Sequence, residues 1–314
     1  IEEVGKIKGP IFWTLLDQWP FCGAEHYTHP PINKDGLQIN DFRYRQNYSS
    51  KSRIFDEKGF DLNRWTWERK KRSWKKPINI VAPSNWIYDC VKKSSLMKNW
   101  PIHLIPVPIN TKIWKPINKL HAKNILGIDK NKKVVLFGAV GGTQDIRKGS
   151  HLLEEALKIL RDSYFENIEN RIQILVFGES GNKDTIKNLP VDFLGSFSDD
   201  LSLRVVYSAA DVMVVPSIQE TFGQTASEAH ACATPVAAFK IGGLIDIVSQ
   251  KETGYLADPY DPQSLAYGIN WILEDEERNK KLSSQARLKA KKYWDSRVIA
   301  KKYIDAYHSA LSLH

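Results

Sequence analysis

Residues 211–239 decide the fold, and they read DVMVVPSIQETFGQTASEAHACATPVAAF. A buried strand is predicted over 211–215, and the loop after it carries Glu220. A helix is predicted over 225–233 and a second strand over 235–239. A strand, a helix and another strand of this kind form a βαβ unit, in which the two strands lie parallel.

The same alternation extends in both directions from this unit. Further strands are predicted over 134–137, 172–177 and 191–194, further helices over 150–160 and 201–209, and only helices from about Pro262 to Leu311. Apolar strands that alternate with helices indicate a parallel sheet covered on both faces. Because ligands bind at the carboxyl ends of the strands in such sheets, the loops that follow the strands are the places to look for chemistry.

The first of these loops, residues 138–149, has the composition of a phosphate site. Its glycines let the backbone approach an anion, and the helix that follows offers free N–H groups and the positive end of its dipole. Arg147 and Lys148 add two positive charges. The loop matches neither of the common glycine-rich nucleotide motifs, so an ordinary Arg–Lys pair on the surface is the other interpretation.

The loop after the fourth strand leads to two glutamates eight positions apart, Glu220 and Glu228. Glu220 can accept hydrogen bonds from hydroxyl groups, and Glu228, inside the next helix, can reach a vicinal diol such as ribose. Two exposed glutamates would show the same spacing. However, small or charged residues also follow the second and fifth strands, at 178–181 and 239–243. Four such strand ends in succession indicate a cleft for a phosphorylated ligand.

The first third of the chain is less regular. Strands are predicted over 10–16 and 78–82, a loop over 20–41, and a helix that begins after Ser84, a good N-cap residue. Residues 1–7 resemble the end of a helix. We therefore expect a further segment of the protein before residue 1.

Length, composition and charge favour two domains of different character. The chain has 314 residues, of which 42% are hydrophobic and 26% charged, an ordinary globular composition. No stretch approaches the roughly 18 to 20 apolar residues that span a bilayer. The three cysteines form no C-x-x-C pair, which excludes a disulfide scaffold and a cysteine-based zinc site. Residues 1–130 hold 23 Lys and Arg against 12 Asp and Glu, whereas the rest holds 22 against 24.

The basic character is concentrated in the run Arg69–Lys76, which reads RKKRSWKK. A basic, tryptophan-rich surface could face anionic lipid, nucleic acid or a phosphorylated substrate. A solvated basic face over a tryptophan-filled core is the other interpretation. No RNA-binding module is visible, so we predict no nucleic-acid partner.

Residues 134 to about 261 resemble the nucleotide-binding domain of the family 4 retaining glycosyltransferases. The resemblance rests on Arg147-Lys148-Gly149, Val176-Phe177-Gly178, Leu194-Gly195, Ala209-Ala210-Asp211-Val212, Pro216-Ser217, the pair Glu220 and Glu228, Thr234-Pro235-Val236 and Gly242-Gly243. The first part resembles one branch of the family that builds surface polysaccharides, through Trp13-Thr14-Leu15, Asp17-Gln18-Trp19-Pro20-Phe21, Ala82-Pro83-Ser84-Asn85-Trp86 and Ile105-Pro106. The sequence departs from that branch at Leu16, where a histidine is usual, and at His230 and Ala233.

The resemblance implies an α/β protein of the GT-B fold, with two Rossmann-like domains that face a cleft and with the first domain incomplete. We expect an acceptor-side domain over 1–118, a nucleotide-sugar-binding domain over 119–290, and a C-terminal helix in 291–314 that packs back on the first domain. No metal is expected at the site and no cofactor, since the nucleotide-sugar is itself the substrate.

The resemblance also implies a role for each site residue. Arg147 and Lys148 would hold the donor diphosphate, Glu220 would bind sugar hydroxyls, and these three form the predicted catalytic set. Donor binding would further involve the loop Gly195-Ser196-Phe197 near the base, the backbone N–H groups of Phe222, Gly223, Gln224 and Thr225, and Glu228 at the ribose. Asp17 and Trp19 are expected on the acceptor side.

The function implied is that of a retaining hexosyltransferase, which moves a sugar from a UDP- or GDP-linked donor to a saccharide or lipid-linked acceptor in surface polysaccharide assembly. A cytoplasmic location is expected, with attachment to the inner face of an anionic membrane through Arg69–Lys76 as a secondary role. A nucleotide-sugar epimerase of the same fold and a basic membrane- or RNA-binding protein are the alternatives. The sequence leaves open the sugar, the base, the acceptor, the linkage and the oligomeric state.

Overall fold

A computed structural model describes residues 1–28, 42–53, 59–138, 145–165, 168–178 and 191–312. The chain forms two compact units. The first consists of Ile1–Pro106 together with Ala300–His314, and the second of Val107–Ile299. The sequence analysis drew the boundary after residue 118, whereas residues 107–118 belong to the second compact unit.

The first unit contains a three-stranded parallel sheet. Its strands are β1 (Phe12–Thr14), β2 (Asn79–Ala82) and β3 (Ile102–Leu104), in the order β1-β2-β3, and its helices are α1 (Glu2–Lys6), α2 (Leu62–Ser73) and α3 (Asn85–Lys93). The predicted cap of α3 is confirmed, because the Ser84 hydroxyl accepts a hydrogen bond from the Ile87 N–H at 3.3 Å. The core is rich in aromatic residues, among them Trp67 and Trp74.

The basic run does not form one charged face. Lys70 is fully buried, and its ammonium donates hydrogen bonds to the carbonyl oxygens of Trp19, Cys22 and Gly23. Burial lowers the pKa of Lys70 to about 7. Arg69 binds the carboxylate of Glu2 through two hydrogen bonds of 2.9 and 2.8 Å. The exposed cations of the run are Lys71, Arg72, Lys75 and Lys76.

The second unit contains a six-stranded parallel sheet. Its strands are β4 (Lys133–Gly138), β5 (Ile172–Phe177), β6 (Val191–Phe193), β7 (Val212–Val215), β8 (Val236–Phe239) and β9 (Gly254–Ala257). Its helices are α4 (Lys119–Ile125), α5 (Ser150–Tyr164), α6 (Ile168–Arg171), α7 (Asp200–Ala209), α8 (Gln224–Ala231), α9 (Leu244–Ile247), α10 (Pro262–Leu273) and α11 (Glu276–Tyr293). The last helix, α12 (Ser296–Leu311), begins in the second unit and continues in the first.

The strand order of this sheet is β6-β5-β4-β7-β8-β9, and it predicts where a ligand-binding crevice lies. The chain starts in the middle at β4, adds two strands on one side, and then adds three on the other. Such a reversal leaves a crevice at the carboxyl ends of the two central strands, which here are β4 and β7. The five predicted strands of this region are confirmed, and β9 was missed because its short sequence begins with a glycine.

A buried aspartate fastens α4 to the central strands. Asp211 accepts hydrogen bonds from the Val134 N–H at 2.8 Å and from the ammonium groups of Lys119 and Lys123 at 2.7 and 3.1 Å. Burial acts to raise the pKa of Asp211, but the two lysine charges outweigh it, so the pKa is lowered. Part of the Ala-Ala-Asp-Val motif is thereby explained as a structural feature. None of the helices in the described ranges is long and apolar enough to cross a bilayer.

Candidate functional site

A cavity of about 570 Å³ lies at the carboxyl ends of β4, β5 and β7, in the second unit. This is the crevice that the strand order predicts. Its walls come from the ends of β4 and β5, the turn before α5, the loop before α7 with the first turn of that helix, the end of β7 with the loop after it, and the first two turns of α8. It is lined by Phe137, Gly138, Lys148, Phe177, Gly178, Ser196, Phe197, Leu203, Val215, Pro216, Ser217, Glu220, Gln224, Thr225 and Glu228.

The cavity brings together seven of the eleven residues predicted on the donor side, which are Lys148, Ser196, Phe197, Glu220, Gln224, Thr225 and Glu228. The described lining does not include the other four, Arg147, Gly195, Phe222 and Gly223. Arg147 lies next to Lys148 in the chain, but its guanidinium donates to the Asp145 carboxylate at 2.6 Å. The Phe222 side chain is buried against Trp294, so only its backbone is available to a ligand. Residues 139–144 and 179–181 of the predicted loops lie outside the described residues.

A lysine–glutamate pair joins the segment after β4 to the loop after β7. The Lys148 ammonium donates to Oε2 of Glu220 at 2.9 Å, and the Ser217 hydroxyl donates to the same oxygen at 3.2 Å. The Glu220 side chain is 16% exposed and that of Lys148 is 27% exposed. The cation and the carboxylate predicted from separate strand ends are thus in direct contact. Sequence reasoning missed Ser217, although it stands in the Pro-Ser segment that carried part of the resemblance.

Backbone contacts lock the two loops that carry this pair. The Ile218 N–H donates to the carbonyl oxygen of Arg147 at 2.8 Å. Gly149 has φ +70°, and a Cβ on it would overlap the carbonyl oxygen of Pro216. Only glycine combines this left-handed conformation with so close an approach of the two backbones.

The double glycine after β8 supports the Glu220 loop from behind. The Gly243 N–H donates to the carbonyl oxygen of Glu220 at 2.9 Å. Gly242 has φ +48°, and a Cβ on it would overlap that same oxygen. These glycines therefore let two loops pack together, in addition to leaving space at the end of the strand.

Glu228 is held by two donors at the floor of the cavity. Tyr207 donates its hydroxyl hydrogen to Oε2 at 3.0 Å, and the Gln224 amide donates to Oε1 at 2.9 Å. Burial raises the pKa of Glu228, and the two hydrogen bonds only partly oppose this. Each carboxylate oxygen keeps a lone pair for a further donor, which suits a pair of adjacent hydroxyls. Tyr207 was not predicted, because it lies 21 positions away and is fully buried.

The first turn of α8 supplies hydrogen-bond donors to the same cavity. Gly223 stands before the helix with φ +98°, and no side chain caps the N-terminus. The N–H groups of the first turn thus have no partner within the helix, and the positive end of its dipole lies beside Gln224 and Thr225 in the cavity wall. Together with the Lys148 ammonium, these N–H groups are the donors in the cavity that suit an anionic ligand.

The two residues predicted on the acceptor side lie in the first unit. They follow the carboxyl end of β1, and the Asp17 carboxylate accepts a hydrogen bond from the Trp19 N–H at 3.0 Å. Within the described ranges, no group of three or more His, Cys, Asp or Glu could hold a metal ion.

Residues 118–289 match the family model described as glycosyl transferases group 1, so the chain belongs to this family. It is 30% identical over 206 residues to an uncharacterized glycosyltransferase of Methanocaldococcus jannaschii, a match that covers 62% of this chain and 50% of that protein. It is also 32% identical over 177 residues to a D-inositol 3-phosphate glycosyltransferase of Streptosporangium roseum, covering 52% of this chain and 40% of that protein. The chain thus spans half or less of the length of these two relatives.

Solved structures share the fold of this chain. Sucrose-phosphate synthase from Thermosynechococcus elongatus superposes with a TM-score of 0.68 at 27% identity, over 81% of this chain and 63% of that one. The Anabaena protein HepE, solved with UDP and glucose, superposes with a TM-score of 0.62 at 22% identity, over 78% of this chain and 66% of that one. The predicted fold class is confirmed, since the chain has the α/β, parallel-sheet architecture of the GT-B fold.

Proposed function

We propose that the cavity of the second unit binds a nucleotide-sugar and that the protein is a retaining hexosyltransferase. The observation that carries this proposal is the arrangement of the two glutamates. Glu220 is paired with Lys148, Glu228 is held by Tyr207, and the N-terminus of α8 lies between them in one cavity. A cation and a helix terminus suit a diphosphate, and flanking carboxylates suit the hydroxyl groups on either side of it.

The diphosphate would lie against Lys148 and the first turn of α8. As the glycosidic bond breaks, negative charge builds up on the leaving diphosphate, so fixed positive groups stabilise the transition state more than the ground state. Arg147 would contribute once its guanidinium exchanges the Asp145 carboxylate for a phosphate oxygen. These charges supply the stabilisation that a metal ion gives in other transferases, so we propose a metal-independent reaction without a cofactor.

The nucleoside would extend toward Glu228. The Glu228 carboxylate would accept hydrogen bonds from the two ribose hydroxyls, and Ser196 and Phe197 would lie near the base. Phe197 offers an aromatic surface for stacking, which suits any base. The proposal therefore covers both UDP- and GDP-linked donors.

Tyr207 provides a test of the ribose assignment. We expect Tyr207→Phe to weaken the affinity for UDP or GDP by about three- to tenfold, because Glu228 loses one of the two donors that orient its carboxylate and a hydrogen bond contributes about 0.5 to 1.5 kcal/mol net. The same hydrogen bond favours the carboxylate form, so its loss should raise the pKa of Glu228 further. Nucleotide affinity should then begin to fall at a higher pH than in the wild type as the solution is acidified, which calorimetry between pH 5 and 8 would show.

Tyr164→Phe is the matched control for this substitution, because it removes a tyrosine hydroxyl from α5, outside the cavity. If Tyr207→Phe and Tyr164→Phe have the same affinity and the same pH profile, the hydroxyl of Tyr207 does not act through Glu228.

A donor assay tests the proposed activity itself. The purified chain is incubated with UDP-glucose, UDP-galactose or GDP-mannose and para-nitrophenyl glycosides, with and without EDTA, and the product is analysed by NMR. We expect a new glycosidic bond with the anomeric configuration of the donor, and less than a twofold effect of EDTA. A donor sugar that is epimerised without transfer would instead identify an epimerase, and inversion or a tenfold EDTA effect would contradict the mechanism.

The acceptor is proposed to be a saccharide or a lipid-linked saccharide in surface polysaccharide assembly. Support comes from the sequence segments of the first unit, with Asp17 and Trp19 at the end of β1. We further propose that the protein works in the cytoplasm, where nucleotide-sugars are made, and that it attaches to the inner face of the membrane.

The surface proposed for attachment combines charge with exposed apolar side chains. Phe60 lies just before α2 and is 72% exposed, and Leu62 is the first residue of α2 and is 51% exposed. At the other end of the helix are four exposed cations, Lys71, Arg72, Lys75 and Lys76. Each cation near an anionic bilayer contributes about 1 kcal/mol. Helix α2 thus has exposed apolar side chains at its N-terminal end and exposed cations at its C-terminal end, and segments at a membrane interface carry both kinds of side chain.

Charge reversal tests this attachment. We expect the triple substitution of Lys71, Arg72 and Lys75 by Glu to release the protein from vesicles of phosphatidylglycerol and phosphatidylcholine at 0.1 M salt, as measured by sedimentation. Reversal of three exposed lysines in the second unit, Lys281, Lys291 and Lys292, is the matched control and should leave binding within twofold. If the wild type does not sediment with these vesicles, the run is a solvated face.

A further inference from the structure

The loop that follows β1 presents a histidine–aspartate pair, His26 and Asp17. Nδ1 of His26 lies 2.6 Å from Oδ2 of Asp17. The His26 side chain is 67% exposed and that of Asp17 is 28% exposed. Like the donor cavity, the loop stands at the carboxyl end of a parallel strand, where α/β sheets bind their ligands.

The aspartate fixes the chemistry of the imidazole. When Asp17 accepts a hydrogen bond from Nδ1–H, the neutral ring carries its lone pair on Nε2. Among the described residues, Nε2 of His26 has no hydrogen-bond partner. The indole of Trp19 lies beside the imidazole, with ring centroids 6.4 Å apart and an interplanar angle of 24°. An acceptor atom therefore stands exposed next to an aromatic ring.

The backbone of the loop is held more tightly than that of an ordinary surface loop. The Gln18 N–H donates to the carbonyl oxygen of His26 at 2.8 Å and so closes the loop on itself. The side-chain oxygen of Gln18 accepts from the Thr28 N–H at 2.8 Å.

A buried cation fastens the middle of the same loop. The Lys70 ammonium donates hydrogen bonds to three carbonyl oxygens of the loop, those of Trp19, Cys22 and Gly23, and it lies 3.7 Å from the centre of the Trp19 ring. A rigid frame of this kind sets the direction of His26 before a ligand arrives, which lowers the entropic cost of binding.

We propose that His26 is the residue that binds the acceptor hydroxyl. Its Nε2 accepts a hydrogen bond from the hydroxyl group of a saccharide acceptor, Asp17 is the positioning residue that holds the ring, and Trp19 contacts the apolar face of the sugar. This inference rests on the proposed glycosyltransferase function. It adds a residue that the sequence analysis did not assign.

Two substitutions of His26 separate binding through Nε2 from a merely structural role. The amide of His26→Asn takes the place of Nδ1, so it keeps the hydrogen bond to Asp17 but has no atom at Nε2. The longer side chain of His26→Gln places a polar atom near the former Nε2. His121→Asn is the matched control, since His121 is an exposed histidine of the second unit.

Initial rates are measured with the donors UDP-glucose, UDP-galactose and GDP-mannose and with para-nitrophenyl glycosides of glucose, galactose, mannose and N-acetylglucosamine. We expect His26→Asn to raise the KM for the acceptor at least tenfold, with a donor KM within twofold of the wild type. His26→Gln should recover part of the loss. Asp17→Asn should raise the acceptor KM three- to tenfold at an unchanged donor KM, whereas a fold defect would change both.

The failures of the two proposals differ. A His26→Asn variant with the acceptor KM of the wild type overturns the assignment of His26 and leaves the donor site intact. A wild type that binds UDP or GDP in calorimetry but transfers to none of the glycosides overturns the acceptor subsite in this chain. A wild type that binds neither nucleotide contradicts the proposed function, on which this inference rests.

Discussion

Glu220→Gln should lower the turnover of sugar transfer by roughly ten- to a thousandfold, which corresponds to about 1.4 to 4 kcal/mol of lost transition-state stabilisation. In the proposed reaction, positive charge grows on the sugar ring as the bond to the diphosphate breaks, and the Glu220 carboxylate would stabilise that charge. The substitution keeps the size and one hydrogen-bonding oxygen of the side chain. The loss of turnover therefore measures the contribution of the negative charge of Glu220.

The nucleotide affinity of the Glu220→Gln variant should not fall along with its turnover. In the ligand-free protein, Glu220 neutralises part of the charge of Lys148 through their contact at 2.9 Å. Glu220→Gln removes this competitor for the cation, so the affinity for UDP or GDP should stay equal or become severalfold tighter. The measurements are steady-state kinetics and calorimetry, with Glu277→Gln as a control at an exposed glutamate of α11. Parallel losses of affinity and turnover would show that Glu220 acts only as a structural partner of Lys148.

Gly149→Ala should damage both stability and ligand binding. A Cβ at this position meets the backbone of Pro216 in a conformation with φ +70°. The left-handed conformation alone costs an alanine about 1 to 2 kcal/mol, and the overlap adds about 1 to 3 kcal/mol. Because Lys148 and Glu220 lie on the two loops that would be forced apart, nucleotide affinity should also fall at least tenfold.

Gly127→Ala is the matched control for this prediction. Gly127 has φ +68°, but a Cβ on it would meet no atom within 4 Å. Its substitution should therefore cost only the conformational part, about 1 to 2 kcal/mol of unfolding free energy in denaturant titrations, with nucleotide affinity unchanged. Equal costs for the two variants would contradict a close approach of the two loops in solution.

The sheet of the second unit could be predicted because its signals are local. Each strand is an apolar run, and the two site glutamates follow one strand within a single loop and helix. Ser217 and Tyr207 could not be predicted as partners of Glu220 and Glu228, since their roles depend on side-chain directions that no spacing specifies. The double glycine 242–243 was interpreted only as part of a ligand cleft, whereas it also packs against the Glu220 loop.

In the first unit, even more of the side-chain contacts could not be predicted from the sequence. A run of basic residues indicates a charged surface, but it gives no sign that Lys70 turns inward and binds three carbonyl groups. The sequence places Asp17 and His26 nine residues apart in an irregular loop. Their contact arises from the closed shape of that loop, which Gln18 maintains through hydrogen bonds within the loop and Lys70 through hydrogen bonds from a distant helix.

Calorimetric titration with UDP and with GDP tests the proposed donor site most directly. The wild type, Lys148→Gln and Glu228→Gln are compared at pH 7.5 in EDTA, with their thermal stability as a control for folding. Because burial raises the pKa of Glu228, a neutral side chain there should not destabilise the ligand-free protein. We predict that the wild type binds one of the two nucleotides and that each substitution weakens this binding at least tenfold, or about 1.4 kcal/mol. Binding of neither nucleotide, or equal binding by all three proteins, would contradict a nucleotide-sugar site at the ends of β4 and β7.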